Sequence, residues 1–271
     1  MQYQKVIFHT TEASKREILI ARLSIEGYDG FEETDDALLA YIGTDNYDAE
    51  TLQLIADEYT LPYEIETVGQ QNWNAEWEKN FQPVMVDDFC TIRADFHNLE
   101  VHTAHDIIIT PKMSFGTGHH ATTRMMVSNM RGINFAGTSV LDFGTGTGIL
   151  AILAEKLGAA DILAVDNDEW AYENILENIE RNDCHHIITK QGSLEHLPPR
   201  QYDVILANIN RHILLQYMDD MFAATIAGGK LLMSGLLAED EAIIKDAAGK
   251  AGFKFLRTDS YNNWICLEYE K

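Results

Sequence analysis

The sequence predicts a doubly wound, mostly parallel α/β sheet preceded by a small α+β unit, and three observations carry this. From about residue 85 onward, short apolar runs alternate with amphipathic stretches of helical period, the pattern of strands covered by helices on both faces. Between one such run and the next helical stretch lies Gly144-Thr145-Gly146-Thr147-Gly148, a glycine-rich strand-to-helix turn. The first 70 residues differ in kind, with fifteen acidic side chains against Lys5, Lys15, Arg16 and Arg22 and no glycine-rich turn.

In that first unit, Lys5–Thr10 alternates as a strand and Ser14–Ile25 has helical spacing through Ile18, Leu19 and Leu23. Gly27–Glu33 and Ala37–Ile42 read as strands around the acidic turn Thr34-Asp35-Asp36. Asp48–Tyr59 suits a helix with Leu52, Ile55 and Ala56 inward, and Tyr63–Val68 closes as a strand. The order strand-helix-strand-strand-helix-strand is that of a ferredoxin-like sandwich. A polar bridge follows, in which Trp73, Trp77 and Phe81 recur every four residues as the stripe of a short helix that Pro83 stops. Two readings of this bridge stand: the aromatics pin it to one domain, or it is a semi-rigid hinge.

The second unit begins with strands at Phe89–Ala94 and Asp106–Ile109, then the loop Ser114-Phe115-Gly116-Thr117-Gly118-His119-His120 and a helix from about Thr122. Strands follow at Ser139–Phe143, Ile162–Val165, Ile187–Thr189, Tyr202–Ala207 and Lys230–Ser234. Helical stretches at Ile149–Leu157, Glu169–Asn182, Ile213–Ile226 and Glu239–Ala251 lie among and after them, with Gly228-Gly229 as a turn before the last of these strands. Phe253–Ser260 and Asn263–Glu270 complete the chain as an antiparallel hairpin at the sheet edge. The expected domains are therefore 1–70, a linker helix 71–84 and 85–271.

Composition excludes several classes. A formal charge of −23 over 271 residues repels phosphate backbones, so direct nucleic-acid binding is not expected, whereas a basic protein partner is compatible with it. Cys90, Cys184 and Cys266 stand apart, without the spacing of a metal site or a disulfide framework. No stretch approaches 18 apolar residues and the N-terminus has no unbroken apolar core, so a cytoplasmic protein without membrane contact is expected.

The chemistry concentrates at strand ends. Asp166 lies 24 residues past Asp142, at the end of the next strand, where a carboxylate accepts the hydroxyls of a ribose. A dinucleotide fingerprint requires a third glycine where Ile149 stands, and a Walker A loop requires a Gly-Lys-Ser/Thr step; neither is present. Asp142, two residues before Gly144, is awkward beside a pyrophosphate but reasonable beside a cationic amine. These features together point to S-adenosylmethionine, with Gly144, Gly146, Asp142 and Asp166 at the cofactor. In the loop before the helix at Thr122, His119 and His120 are open to two readings, a catalytic base or a contact that shapes the pocket. Asn208, just past the fourth strand, can accept a hydrogen bond from an amine and aim its lone pair at a methyl donor, or it can serve as a strand-terminal cap. Ser193 follows the third strand, where side chains border an adenine ring.

The stretches SFGTGHHATT, LDFGTGTGILAILAEKLGA, VDNDEWAYENILENIERN and ILANI resemble the bacterial ribosomal protein L-eleven methyltransferases, a class I family that uses S-adenosylmethionine. The resemblance runs from the bridge to the C-terminus; the first 70 residues match in length and layout. It implies a Rossmann-like seven-stranded sheet, an N-terminal substrate-recognition domain, and methylation of lysine side chains and the N-terminal α-amine of the large-subunit ribosomal protein L-eleven, free of the ribosome. It also implies cofactor contacts at Thr122, Gly144, Asp166 and Asn208, with Phe115, Gly116 and Thr117 lining the pocket and His120 standing where the family has a histidine. Two departures are mild, Thr145 for a cysteine and Thr147 for a serine. A third, Asn210-Arg211 after ILANI, places an arginine near the acceptor channel and opens the question of target choice. Alternative readings are a relative acting on another protein or a small amine, and a cofactor-binding assembly module without turnover.

Overall fold

The computed structural model describes residues 3–28, 30–34, 36–68, 81–110 and 118–271. The chain divides into two compact units, Met1–Asn80 and Phe81–Lys271.

The first unit runs β1 (Tyr3–His9), α1 (Ala13–Ile25), β2 (Gly30–Glu33), β3 (Ala37–Gly43), α2 (Ala49–Tyr59) and β4 (Tyr63–Val68). Its antiparallel sheet has the order β2-β3-β1-β4, the ferredoxin-like arrangement. Helix α2 starts where the Asp48 carboxylate accepts the backbone N–H groups of Glu50 and Thr51, two donors that the first turn leaves without intrahelical partners. Leu52, Ile55 and Ala56 of α2 join Leu19 and Leu23 of α1 over Val6, Phe8, Leu38, Ala40 and Ile42. Ile18, grouped with the inward residues by spacing, is instead 45% exposed. The inward face of α1 is narrow, so the neighbour of Leu19 turns to the surface.

The expected linker helix falls largely on 69–80, outside the described residues, and Trp73 and Trp77 with it. Its last part is not helical: 81–83 are irregular and Val84 opens a strand. That strand, β5 (Val84–Val86), was not legible in sequence. It pairs with β6 (Cys90–Ala94), which pairs in parallel with β7 (His105–Ile109), and the three form a sheet of their own.

The main sheet is built from β8 (Ser139–Phe143), β9 (Asp161–Asp166), β10 (Ile187–Gln191), β11 (Tyr202–Asn208), β12 (Thr225–Leu237), β13 (Lys254–Tyr261) and β14 (Trp264–Glu270). Its order is β10-β9-β8-β11-β12-β14-β13, parallel through the first five strands and antiparallel at the final two pairings. The chain winds outward in both directions from β8 and β11, so a crevice opens at their carboxyl ends. Helices α3 (Ala121–Met130), α4 (Ile149–Lys156) and α5 (Glu169–Arg181) contribute to one core, which also takes in Val140, Ile162 and Leu206. Helices α6 (Arg211–Gln216), α7 (Met218–Ala223) and α8 (Glu241–Ala251) contribute to the other, with Leu141, Phe143 and Ile205. Successive strand residues point to opposite faces, which divides Val140 from Leu141.

Two boundaries differ from expectation. The helical stretch at 213–226 is two short helices broken at Tyr217. Strand β12 begins at Thr225 and contains Gly228-Gly229, because the pairing slips from Tyr202 opposite Thr225 to Val204 opposite Lys230, a bulge that absorbs the glycines. Among the described residues no helix is long and apolar enough to cross a membrane.

Candidate active site

Three neighbouring strands deliver the site. Gly144 follows β8, Asp166 ends β9 and Asn208 ends β11, all at carboxyl ends. They share a cavity of about 670 Å³ whose wall also includes His120, Phe143, Gly146, Ser193, Ile209 and Trp264. Asp166 is the sole carboxylate among its described lining residues, and none of them is lysine or arginine. Such a wall suits a ligand with positive charge and hydroxyls better than a diphosphate.

The glycine-rich turn is held from below. The N–H groups of Gly144 and Thr145 both donate to the Val165 carbonyl, at 2.8 and 3.1 Å, and that of Gly146 donates to Asp166 Oδ2 at 2.8 Å. Asp166 Oδ1 accepts from the Asp168 N–H at 3.0 Å, so the carboxylate is fixed in direction with lone pairs remaining. Gly144 has φ +75°, and a Cβ there would lie 2.1 Å from Ile209 Cγ2. On the far side, a Cβ at Gly235 (φ +85°) would lie 2.3 Å from the Ile209 carbonyl oxygen. Ile209, the residue after Asn208, is thus clasped between two glycines, which fixes where Asn208 can stand.

Asn208 is 8% exposed. Its Nδ2 donates to Thr123 Oγ1 at 3.3 Å, while its Oδ1 is buried without a hydrogen-bond partner. A buried carboxamide oxygen left unpaired costs free energy unless a ligand donor completes it. A lining residue with such an orphan, in a cavity whose described wall has one carboxylate and no lysine or arginine, fits a site for S-adenosylmethionine and an amine acceptor.

Two expected cofactor contacts stand behind the wall. Asp142 is fully buried and does not line the cavity. Strand alternation turns it toward α4, where its Oδ2 accepts from Thr145 Oγ1 at 2.6 Å and from the Ala151 N–H at 3.2 Å. The N-cap of α4 is Gly148, which has no side chain to cap with, so Asp142 satisfies an end donor from the adjacent strand. Burial is the main cause that lifts its carboxyl to about 7, against the lowering pull of those two donors. Thr122 is likewise fully buried, its hydroxyl 2.7 Å from His120 Nδ1. Phe115, Gly116 and Thr117 lie outside the described residues.

His120 does line the cavity, with its ring edge-on to Trp264 at 4.6 Å between centroids. The Thr122 N–H donates to its Nδ1, so the nitrogen that carries the lone pair is already engaged. That arrangement makes His120 both part of the cavity wall and the cap of α3. Arg211, expected near the acceptor channel, pairs with the buried carboxylate of Asp240, whose other oxygen accepts from the Leu237 N–H. It ties the segment after Asn208 to the end of β12.

Sequence reasoning missed Ile209, Tyr217, Gly235 and Trp264; it placed Thr122 or Thr123 as the cap of α3, where His120 stands. The Tyr217 hydroxyl meets the Glu195 carboxylate and Ser193, and its ring packs edge-on against Phe143 at 5.3 Å. Trp264 opens the last strand, and no local signal links it to residues more than fifty positions earlier.

Fold and cavity together define a class I, S-adenosylmethionine-dependent methyltransferase. The family model for ribosomal protein L11 methyltransferase (PrmA) matches residues 3–271, and the chain belongs to that family. It is 37% identical to the ribosomal protein L11 methyltransferase of Bacteroides thetaiotaomicron over 278 aligned residues, covering 99% of both chains. With that of Porphyromonas gingivalis it shares 39% over 260, covering 93% of this chain and 90% of the relative. Among solved structures, the ribosomal protein L11 methylase of Lactobacillus delbrueckii subsp. bulgaricus aligns with TM-score 0.64 at 26% identity, covering 70% of this chain and 98% of that one.

Proposed function

We propose that this enzyme transfers methyl groups from S-adenosylmethionine to amines of ribosomal protein L11, the lysine side chains and the N-terminal α-amine, in the cytoplasm and before the protein joins the ribosome. The observation that carries the reaction type is Asn208 at the end of β11, a residue that lines the cavity and whose buried Oδ1 has no hydrogen-bond partner. Family membership over nearly the whole chain supports the substrate.

When bound, S-adenosylmethionine supplies an electrophilic methyl group on a sulfonium. Gly144 and Gly146 leave room for it against the backbone, Asp166 accepts from its ribose hydroxyls, and Ser193 borders its adenine. Asp142 and Thr122 act from behind, Asp142 by holding the turn and Thr122 by holding His120. Phe115, Gly116 and Thr117 remain proposed pocket residues by family resemblance alone. Asn208 Oδ1 accepts an N–H of the uncharged acceptor amine, which directs the nitrogen lone pair. Phe143, Ile209, Ile213 and Trp264 exclude water from it. Orientation and desolvation then do the catalytic work, with no covalent intermediate on the protein. The acidic first unit suits capture of a basic partner, with residues 71–80 as the linker that lets several amines reach one site.

The test is the intact mass of recombinant L11 after incubation with enzyme and S-adenosylmethionine. Steps of one methyl mass on amines are expected, with Asn208→Ala slowing them by at least ~100-fold while still binding S-adenosylhomocysteine. An unmodified L11 in the presence of a cofactor-binding enzyme would remove the substrate assignment.

A further inference from the structure

Helix α5 carries asparagines at 174, 178 and 182, four apart and therefore on one face. All three are buried: Asn174 and Asn178 are 0% exposed and Asn182 is 9%. Helix interiors do not favour asparagine, and a buried carboxamide must have its donors and acceptor met, so three in register require a reason.

Two of them form a ladder against the backbone that leaves β7, while Asn174 accepts from Asn178 and its own Nδ2 has no hydrogen-bond partner. Asn182 makes a two-way contact with Ile108, its Oδ1 accepting from the Ile108 N–H at 2.9 Å and its Nδ2 donating to the Ile108 carbonyl at 2.6 Å. One helical turn back and two strand residues on, Asn178 Oδ1 accepts from the Thr110 N–H at 2.7 Å. The match is geometric, since four helix residues rise about 6 Å and two strand residues about 6.6 Å. Asn178 then departs from the pattern. Its Nδ2 donates to the Thr147 carbonyl at 2.8 Å, inside the glycine-rich turn, and lies 3.4 Å from Asn174 Oδ1. One carboxamide therefore holds two separate pieces of chain: Thr110, from which the SFGTGHH segment continues, and Thr147, in the turn that carries Gly144 and Gly146. Thr110 is fastened a second time, its hydroxyl donating to Glu177 at 2.8 Å.

We propose that Asn178 is a positioning residue for the cofactor site, a cross-brace that sets the glycine-rich turn in register with the chain leaving β7. This rests on the cofactor reading above but not on the choice of methyl acceptor. Asn182 fastens β7 to α5, its Nδ2 also donating to the Asn178 backbone carbonyl at 2.8 Å, and none of these bonds reaches Thr147.

The test uses the full chain and S-adenosylhomocysteine as the probe, titrated calorimetrically, with kinetics alongside. Asn178→Asp is nearly isosteric and keeps the acceptor for Thr110, but sets an oxygen against the Thr147 carbonyl in place of a donor. The expected result is a Kd for S-adenosylhomocysteine about tenfold higher and a matching rise in KM for S-adenosylmethionine, with kcat changed less than twofold. Asn182→Ala is expected to lower Tm while its Kd stays within twofold of wild type. If the aspartate variant does not fold, Asn178→Ser, which removes the reach to Thr147 without adding charge, carries the same expectation. The proposal is overturned if the Asn178 variants bind as wild type does, or if Asn182→Ala weakens binding equally. A wild-type protein that fails to bind S-adenosylhomocysteine would instead overturn the cofactor reading itself.

Discussion

At the scale of single residues, the site contains two buried polar side chains with opposite logic. Asn208 is neutral; the residue lines the cavity, and its buried oxygen has no hydrogen-bond partner. Asp142 is a carboxyl sunk under a helix end, raised from 3.8 to about 7 chiefly by loss of water. Because its pKa in the fold lies above the unfolded value, the native state holds the proton more tightly. Its contribution to stability is therefore fully present below about pH 4 and is lost as pH rises through about 7. Asp142→Asn, which cannot ionise, should gain on wild type between about pH 4 and 7, by at most about 1.4 kcal/mol per pH unit, and level off above that. Urea unfolding of both proteins at matched pH measures this, and parallel stability curves would count against the assignment.

At the scale of elements, the decisive contact is the clasp on Ile209. Gly144 from the β8 turn and Gly235 from β12 close on it from two sides, each with positive φ and no space for a Cβ. Gly235→Ala would press a methyl group onto backbone, which cannot yield as a side-chain tip does. The expected cost is more than about 2 kcal/mol, together with weakened methyl transfer. Denaturant unfolding and the L11 mass assay read the two effects separately, and an alanine variant as stable as wild type would refute the clasp. The motif ILANI was legible at this scale because an apolar run ending in a polar residue marks a strand terminus. The clasp was not, since Gly235 lies 26 residues after Ile209 and nothing local in a strand glycine says which backbone it accommodates.

At the scale of the whole molecule, the two units have separate cores, and only the second carries the cavity. The first has its own apolar core under α1 and α2 and an acidic composition; the second holds every described residue that lines the cavity. Removal of residues 1–70 is accordingly expected to leave S-adenosylhomocysteine affinity within about threefold, while methylation of L11 falls by at least ~100-fold through lost capture. Calorimetry and the mass assay on the same preparation check both halves. Full L11 methylation by the truncated enzyme would place substrate recognition in the second unit.

The sequence by itself determined the periodicities, and with them the ferredoxin-like order of the first unit and the parallel core of the second. It also determined the chemistry of the strand ends, because Gly144, Asp166 and Asn208 each sit where a local pattern stops. Tertiary structure alone decided which side chains line the cavity. Asp142 and Asp166 look alike in sequence, yet the alternation of β8 sends one under α4 while the end of β9 leaves the other on the cavity wall. It likewise decided that β14, not β13, pairs with β12, which brings Trp264 to His120, and that Asn178 reaches from Thr110 to Thr147. The physical reason is range: strand and helix periods are set by neighbours a few residues apart, whereas the direction of a buried polar group is set by partners brought close only when the layers pack.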